Sequence, residues 1–280
     1  MIRADFPNLS KQSFEMDRSA GVIRSPVLDA FLWLTHGVTT RQFAPPQTDL
    51  FDLMADVRQR LVPGGSRIFC GEQVHGSAIA VVESVRKYAG TDQARRRGPV
   101  VQLLGTDGLI VADPSLPVAV RTADCVFLVL VDVRLRRVAA VHAGWRGLLG
   151  RIGEKAVAAM SRLGSDPADL VVWMGPTISG EAYEIAPDLA KRLCTAFPEY
   201  EGVVSDNHLD LVLLNACQLC KAGVPRAQIH AANFCTANNL DLCYSFRAEG
   251  DGTGRMVGYA MILPDAKLTM ESAKSQGKRH

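Results

Sequence analysis

Apolar positions along this chain follow two periods, and the switch between them marks out the elements. In the middle, Leu109-Ile-Val-Ala112, Val118–Arg121, Val126–Val133, Val138–His142 and Leu170-Val-Val-Trp-Met174 are nearly continuous apolar runs. Short runs of that kind, rich in valine, predict strands covered on both faces. Further strands are predicted at Arg67–Cys70, Ser77–Ser84, Ile229–Phe234 and Met256–Leu263, and Ala30-Phe-Leu-Trp-Leu34 predicts a strand feeding a polar turn, Thr35–Arg41. The period then changes: Leu148, Ile152, Ala156 and Met160 recur every four residues, predicting a helix over Gly147–Leu163 with Gly164 as its cap. Helices are also predicted over Asp49–Leu61, ending at Pro63-Gly-Gly65, from Pro187 with Leu189, Leu193 and Phe197 on one face, and over Asp210–Ala222. A hydrophilic insertion fills Lys87–Pro99. No repeat or interdomain linker interrupts the pattern. The mixture of hairpin-like and crossover connections predicts one α+β domain of mixed β-sheets flanked by helices over residues 1–265, with a polar tail over 266–280.

Composition narrows the function classes. A chain of 280 residues with 48% hydrophobic and 21% charged content reads as an ordinary globular protein. The net charge of +2 is too near zero to point to nucleic acid or a membrane surface, and the basic run Arg95-Arg-Arg97, followed by Gly-Pro, predicts a solvated turn. No apolar run reaches the roughly 18 residues of a spanning helix, and Met1–Pro7 lacks the hydrophobic region of a secretory leader. Seven scattered cysteines fit reduced thiols better than a disulfide framework. A cytoplasmic location is the expectation.

The chemistry gathers at strand ends. Thr122-Ala-Asp-Cys125 and His142-Ala-Gly-Trp-Arg-Gly147 bracket two apolar runs, and His75 in Gln73-Val-His-Gly76 sits in a similar setting. Two imidazoles and one thiolate make a three-ligand zinc set, and three protein ligands with an open position is the catalytic pattern. Taken singly, a strand-end histidine is more often a hydrogen-bonded core residue, and Cys125 is more often a small buried hydrophobe. Asp124, however, is a carboxylate against a buried strand, which is costly unless paired or working. Cys217-Gln-Leu-Cys220 has metal-like spacing but lies within a helical leucine pattern with no matching second pair, and reads as core packing. Arg41, Arg121, Arg146, Arg247 and Arg255 stand in turns or at strand ends, which suits phosphate or carboxylate binding.

Taken in order, His36-Gly-Val-Thr-Thr-Arg41, Gln73-Val-His-Gly76, Thr106-Asp-Gly-Leu-Ile110, Thr122-Ala-Asp-Cys125, His142-Ala-Gly-Trp-Arg-Gly147, Gly175-Pro-Thr-Ile-Ser179 with Tyr183-Glu-Ile185, and Ser245-Phe-Arg247 with Thr253-Gly-Arg255 form an ordered set. This set resembles the laccase-domain family, YfiH-like and also called multicopper polyphenol oxidase, whose members are now usually named purine nucleoside phosphorylases. The resemblance spans roughly residues 30–263. It departs at Gln42-Phe-Ala-Pro-Pro-Gln47, where members carry a glycine-rich stretch. The resemblance implies a zinc ion on His75, Cys125 and His142 in a single YfiH-like α+β domain. It also implies phosphorolysis of adenosine, inosine, guanosine and methylthioadenosine, and hydrolytic deamination of adenosine, with purine nucleoside and phosphate as partners. On that chemistry Cys125 and His142 are catalytic, and Asp124 or another nearby carboxylate moves a proton. Arg41, Arg146 and Arg247, with the helix start at Gly147, position substrate and phosphate.

Other classes compete. Cys125 as nucleophile with His142 as base resembles the arrangement in cytotoxic necrotizing toxins. Some relatives are linked to clearing wrongly incorporated amino acids from peptidoglycan precursors, which makes the site an amide hydrolase. A copper-dependent polyphenol oxidase fits less well, because multicopper clusters draw on many histidines, often as His-X-His, and this chain has six and no such pair. A purely structural zinc site asks for a fourth ligand, and none is evident.

Overall fold

Side chains along the central strands alternate between two hydrophobic cores, and that alternation builds the layers. A computed structural model of the chain describes residues 5–9, 11–62, 64, 67–84 and 91–264. In chain order its strands are β1 (Glu15–Asp17), β2 (Val22–Arg24), β3 (Leu34–Thr39), β4 (Ile68–Gly71), β5 (Ile79–Val82), β6 (Ala94–Arg97), β7 (Val100–Leu103), β8 (Gly108–Val111), β9 (Val118–Thr122), β10 (Val126–Asp132), β11 (Arg137–Ala143), β12 (Leu170–Met174), β13 (Val204–Ser205), β14 (His208–Leu209), β15 (Ile229–Ala231) and β16 (Met256–Ile262). The helices are α1 (Pro26–Asp29), α2 (Leu50–Leu61), α3 (Trp145–Leu149), α4 (Ile152–Arg162), α5 (Pro187–Ala196), α6 (Leu211–Lys221) and α7 (Phe246–Glu249).

Two mixed sheets carry the fold: eight strands in the order β1-β2-β3-β16-β9-β4-β7-β6, and six in the order β15-β12-β10-β11-β8-β5. Phe127, Val129 and Val131 of β10 face the larger sheet, packing with Phe69, Val118, Val120 and Met256. Val126, Leu128 and Leu130, from the alternate positions, pack with Leu148, Ile152, Met160, Leu193 and Leu214 of the helices. The far face of the larger sheet (Ile68, Ala119, Val257, Met261) is covered by Leu53, Met54 and Val57 of α2. The order of layers is therefore helix, sheet, sheet, helices, a mixed α+β domain. Every residue of β10 is buried because each face of its sheet meets another layer.

Several elements differ from the sequence reading. The strand expected at Ala30–Leu34 begins where that run ends: β3 is Leu34–Thr39, inside the expected turn, and Leu32 is 89% exposed. Its pairing with β16 across Gly258↔Val38 to Ile262↔Leu34 overrides the polar local composition. The helix over Gly147–Leu163 starts earlier, at Trp145, and breaks at Gly150–Arg151, where Arg151 has φ 57°. The basic run Arg95–Arg97 forms β6, paired with β7 at the rim of the larger sheet, where charged side chains discourage further pairing. Pairing also makes strands of Glu15–Asp17, Val22–Arg24 and Val100–Leu103, which carry little pattern of their own. β15 stops at Ala231, short of Phe234. The polar tail lies outside the described residues, as do Pro63 and Gly65 of the expected helix terminator.

Candidate metal centre

The antiparallel pairing of β10 with β11 brings the cysteine and one histidine together. Val126 pairs with Ala143 and Phe127 with His142, so Cys125 sits beside Gly144 one step beyond the ladder. Gly144 is needed there: a Cβ on it would lie 2.9 Å from the Cys125 sulfur and 3.4 Å from the His75 ring. His75 comes from the loop between β4 and β5, which is pinned by Gln73 N–H donating to the Thr106 carbonyl (2.9 Å) and Gly76 N–H donating to the Asp107 carboxylate (2.8 Å). The two imidazole rings cross nearly perpendicular, 4.9 Å apart. One donor atom each from His75, Cys125 and His142 lies within 4.8 Å of the others, so a single ion can touch all three. Gln73 (φ 61°), His75 (φ 58°) and Asp124 (φ 86°) all adopt the left-handed backbone region, a concentration of strain typical of functional sites.

Asp107, which the sequence reading passed over, completes the arrangement. Its fully buried carboxylate meets His142 Nδ1 at 3.0 Å, and its carbonyl accepts the His142 main-chain N–H at 2.8 Å. The Nδ1 nitrogen is thereby occupied and Nε2 is left for a ligand, the carboxylate–histidine pairing found behind metal ions. An aspartate between Gly105 and Gly108, ahead of a buried strand, is the same signal that singled out Asp124.

The electrostatics follow from this packing. Burial pushes the Cys125 thiol up, but bonds to His142 and His75 outweigh it and bring it down to about 6. Burial pushes His142 down, yet Asp107 and Cys125 together raise it to about 9. Asp107 is resisted by burial and held below the usual carboxylate range by His142 and the Gly76 N–H. Both shifts favour an ionised Cys125 facing a protonated His142. A soft anionic donor with two imidazoles, one anchored from behind, fits a metal ion.

A cavity of about 510 Å³ opens over the cluster, lined among others by Gln73, Asp124, Trp145, Tyr183 and Phe246 and by Arg121, Arg146, Arg247 and Arg255. Of the arginines expected to bind substrate, Arg146 and Arg247 reach the cavity, stacked on Trp145 (4.3 Å) and Tyr183 (4.9 Å). Arg41 does not line it. Its guanidinium pairs with Glu249 (3.0 Å), donates to the Leu240 carbonyl and stacks on Tyr244, clamping the loop before α7. The Gln42–Gln47 segment also packs away from the cavity, Phe43 being buried against the α2 layer. Asp124 lines the cavity with both carboxylate oxygens engaged, by the Thr236 hydroxyl (2.5 Å) and the Arg247 main-chain N–H (2.7 Å). The helix start expected to bind an anion is a five-residue turn, Trp145–Leu149, too short to present a sizeable dipole. Sequence reasoning noted Arg121 and Arg255 as arginines but had no means of setting them on one wall with Arg146 and Arg247.

Residues 37–263 match the family described as multi-copper polyphenol oxidoreductase laccase. The chain belongs to this family. Among relatives of this laccase family, an adenosine deaminase named RL5, from an unknown prokaryotic organism, is 31% identical over 189 residues, covering 65% of this chain and 70% of its own length. A purine nucleoside phosphorylase from Staphylococcus saprophyticus is 34% identical over 192 residues, covering 67% of this chain and 70% of its own. The laccase-family fold is shared with the crystal structure of YlmD from Geobacillus stearothermophilus, at TM-score 0.74 and 26% identity, covering 91% of this chain and all of that one. Among the described residues, no helix is long and apolar enough to cross a membrane.

Proposed function

We propose that this protein is a zinc-dependent enzyme of purine nucleosides that phosphorolyses adenosine, inosine, guanosine and methylthioadenosine and deaminates adenosine. The observation that carries this reading is the convergence of His75, Cys125 and His142 beneath a cavity walled by arginines and aromatic rings. Relatives named for phosphorolysis and for adenosine deamination support it. When bound, zinc supplies Lewis-acid polarisation at the floor of the cavity.

The chain's own residues supply the rest. Trp145, Tyr183 and Phe246 offer apolar faces for a purine base. Arg146 and Arg247, preset by stacking, hold phosphate as planar forks. In phosphorolysis a phosphate oxygen forms the bond to C1′ of the ribose while the bond from C1′ to the base nitrogen breaks, its electron pair leaving with the base. Holding phosphate against C1′ removes the entropic cost of that encounter. Asp107 keeps His142 in one orientation throughout. We assign Asp124 a positioning role: its bonds to Thr236 and Arg247 fasten the α7 segment beside Cys125, and this replaces the proton-transfer role expected from sequence.

A second reading rests on the chain Cys125, His142, Asp107, which has the composition of a cysteine nucleophile with its base and orienting carboxylate. It suits an amide hydrolase of the peptidoglycan-editing kind. His75 on the same thiol favours the metal instead. A His-Cys-His set is also open to copper, so elemental analysis of the purified protein is the deciding measurement. Stoichiometric zinc, with adenosine giving adenine plus ribose phosphate when phosphate is present and inosine when it is absent, is the expected result. A covalent thioester on Cys125, or full turnover by metal-free protein, overturns it.

A further inference from the structure

Several arginines of this protein are ion-paired with carboxylates: Arg24 with Asp29, Arg41 with Glu249, Arg97 with Asp49, Arg134 with Asp169 and Arg151 with Glu154. The cavity is different. Among the described residues, none of Arg121, Arg146, Arg247 and Arg255 makes an ion pair with a carboxylate, and the Asp124 carboxylate on that wall is engaged by Thr236 and the Arg247 main chain. With a divalent ion at the cluster, the four guanidinium groups exceed what the Asp107, Asp124 and Cys125 anions and one phosphate dianion together neutralise.

Arg121 and Arg255 form a pair of their own. Arg121 of β9 pairs with Val257 of β16, and Arg255 immediately precedes that strand, so the two arginines come together at the cavity wall. Each is pinned by neutral acceptors. Arg121 donates to the Gln73 side-chain oxygen (3.4 Å) and the Glu72 carbonyl (3.0 Å), while the Gln73 amide clasps the Arg121 main chain at 2.7 and 2.8 Å. Arg255 donates to the Thr253 and Gly254 carbonyls at 3.1 and 2.9 Å. Burial pushes the Arg121 guanidinium below its ordinary value, and the neighbouring Arg255 charge adds to the effect. Two like charges held rigidly side by side, bonded only to neutral oxygens, are a preorganised receptor for an anion.

We propose that Arg121 and Arg255 form a second anion subsite, which takes a phosphate group carried on the nucleoside, so that purine nucleoside monophosphates bind in this cavity. The proposal rests on the purine nucleoside reading above. Calorimetric titration of the zinc-loaded protein with AMP, adenosine and inorganic phosphate tests it. AMP is expected to bind roughly tenfold more tightly than adenosine or better, and Arg255→Gln to bring that ratio close to one. Arg134→Gln, which alters a guanidinium paired with Asp169 outside the cavity, is expected to keep the ratio. Thermal unfolding midpoints verify that the variants fold, and where Arg121→Gln does not, Arg255→Gln alone decides.

Equal affinities in the wild type, an unchanged ratio in Arg255→Gln, or no AMP binding each overturn the subsite. Weaker inorganic phosphate binding in Arg255→Gln, with AMP no tighter than adenosine, shows that free phosphate fills the pair and overturns the nucleotide assignment. Arg255-dependent AMP binding with no turnover of adenosine, with or without phosphate, upholds the subsite while the catalytic reading falls.

Discussion

Two histidines are almost equally hidden from water here, and they titrate in opposite directions. His36 on β3 is 0% exposed and is pushed down to about 4, chiefly by burial, with Asp29 too far off at 3.9 Å to compensate. His142 is 4% exposed and raised to about 9, because Asp107 on one nitrogen and Cys125 near the other outweigh the same burial. The cysteines repeat the lesson. Cys217, wholly buried in the helix layer, is pushed up to about 11, while Cys125 between two imidazoles falls to about 6. Burial alone neutralises a group; burial with convergent partners of the right sign makes it chemically potent.

The comparison breaks most sharply at the cysteines. Cys125→Ala is expected to abolish stoichiometric zinc and lower turnover on the order of a thousandfold or more, since it removes the only anionic donor of the set. Retention of zinc at wild-type stoichiometry would sink the metal assignment.

His36 gives the next largest effect, through pH. Its unfolded value is about 6.5 and its folded value about 4, so the unfolded chain binds the extra proton between those limits. Stability is therefore unaffected by this group above pH 6.5 and falls as pH drops toward 4, by roughly 3 kcal/mol in full. Urea unfolding at pH 7 and pH 4.5 measures it, and His36→Gln is expected to flatten the difference. An equally steep loss in the variant assigns the acid sensitivity to other groups.

Asp107→Asn keeps the size of the side chain but replaces the carboxylate behind His142. Metal affinity is expected to fall about 10- to 100-fold in a chelator competition, with the fold intact by circular dichroism. Unchanged affinity would mean that His142 is oriented by its main-chain bond to Asp107 alone. The smallest effect belongs to Cys217→Ala: zinc content and turnover unchanged, and stability lower by about 1 kcal/mol from the small cavity left in the helix layer. Zinc loss in that variant would revive the Cys217-Gln-Leu-Cys220 pair as a metal site.

Much of the fold was legible where pattern and packing agree. The buried strands β8 to β12 and the helices α2, α5 and α6 fall where the apolar periods place them, because each fills a layer with residues that suit it. The ends of elements and the weakly patterned strands were not legible. β3 carries His36 and Gly37 within a polar stretch and becomes a strand only through its ladder with β16. A basic triplet reads as a turn until β7 offers it a partner. At the site, the convergence of His75, Cys125 and His142 is expected from the sequence, whereas Arg41 lies outside the cavity lining and the sequence reading gives Asp107 no role of its own.

Residue types and their order by themselves determined the layer-forming strands, the family resemblance and the choice of His75, Cys125 and His142 as a candidate ligand set, because each follows from local period or from a motif that is complete within a few neighbouring residues. Which arginines share a wall, which carboxylate stands behind His142, and whether a buried thiol is inert or ionised were decided only by tertiary structure. Those properties depend on distances between residues far apart in the chain, and electrostatic interaction is set by separation and burial in space.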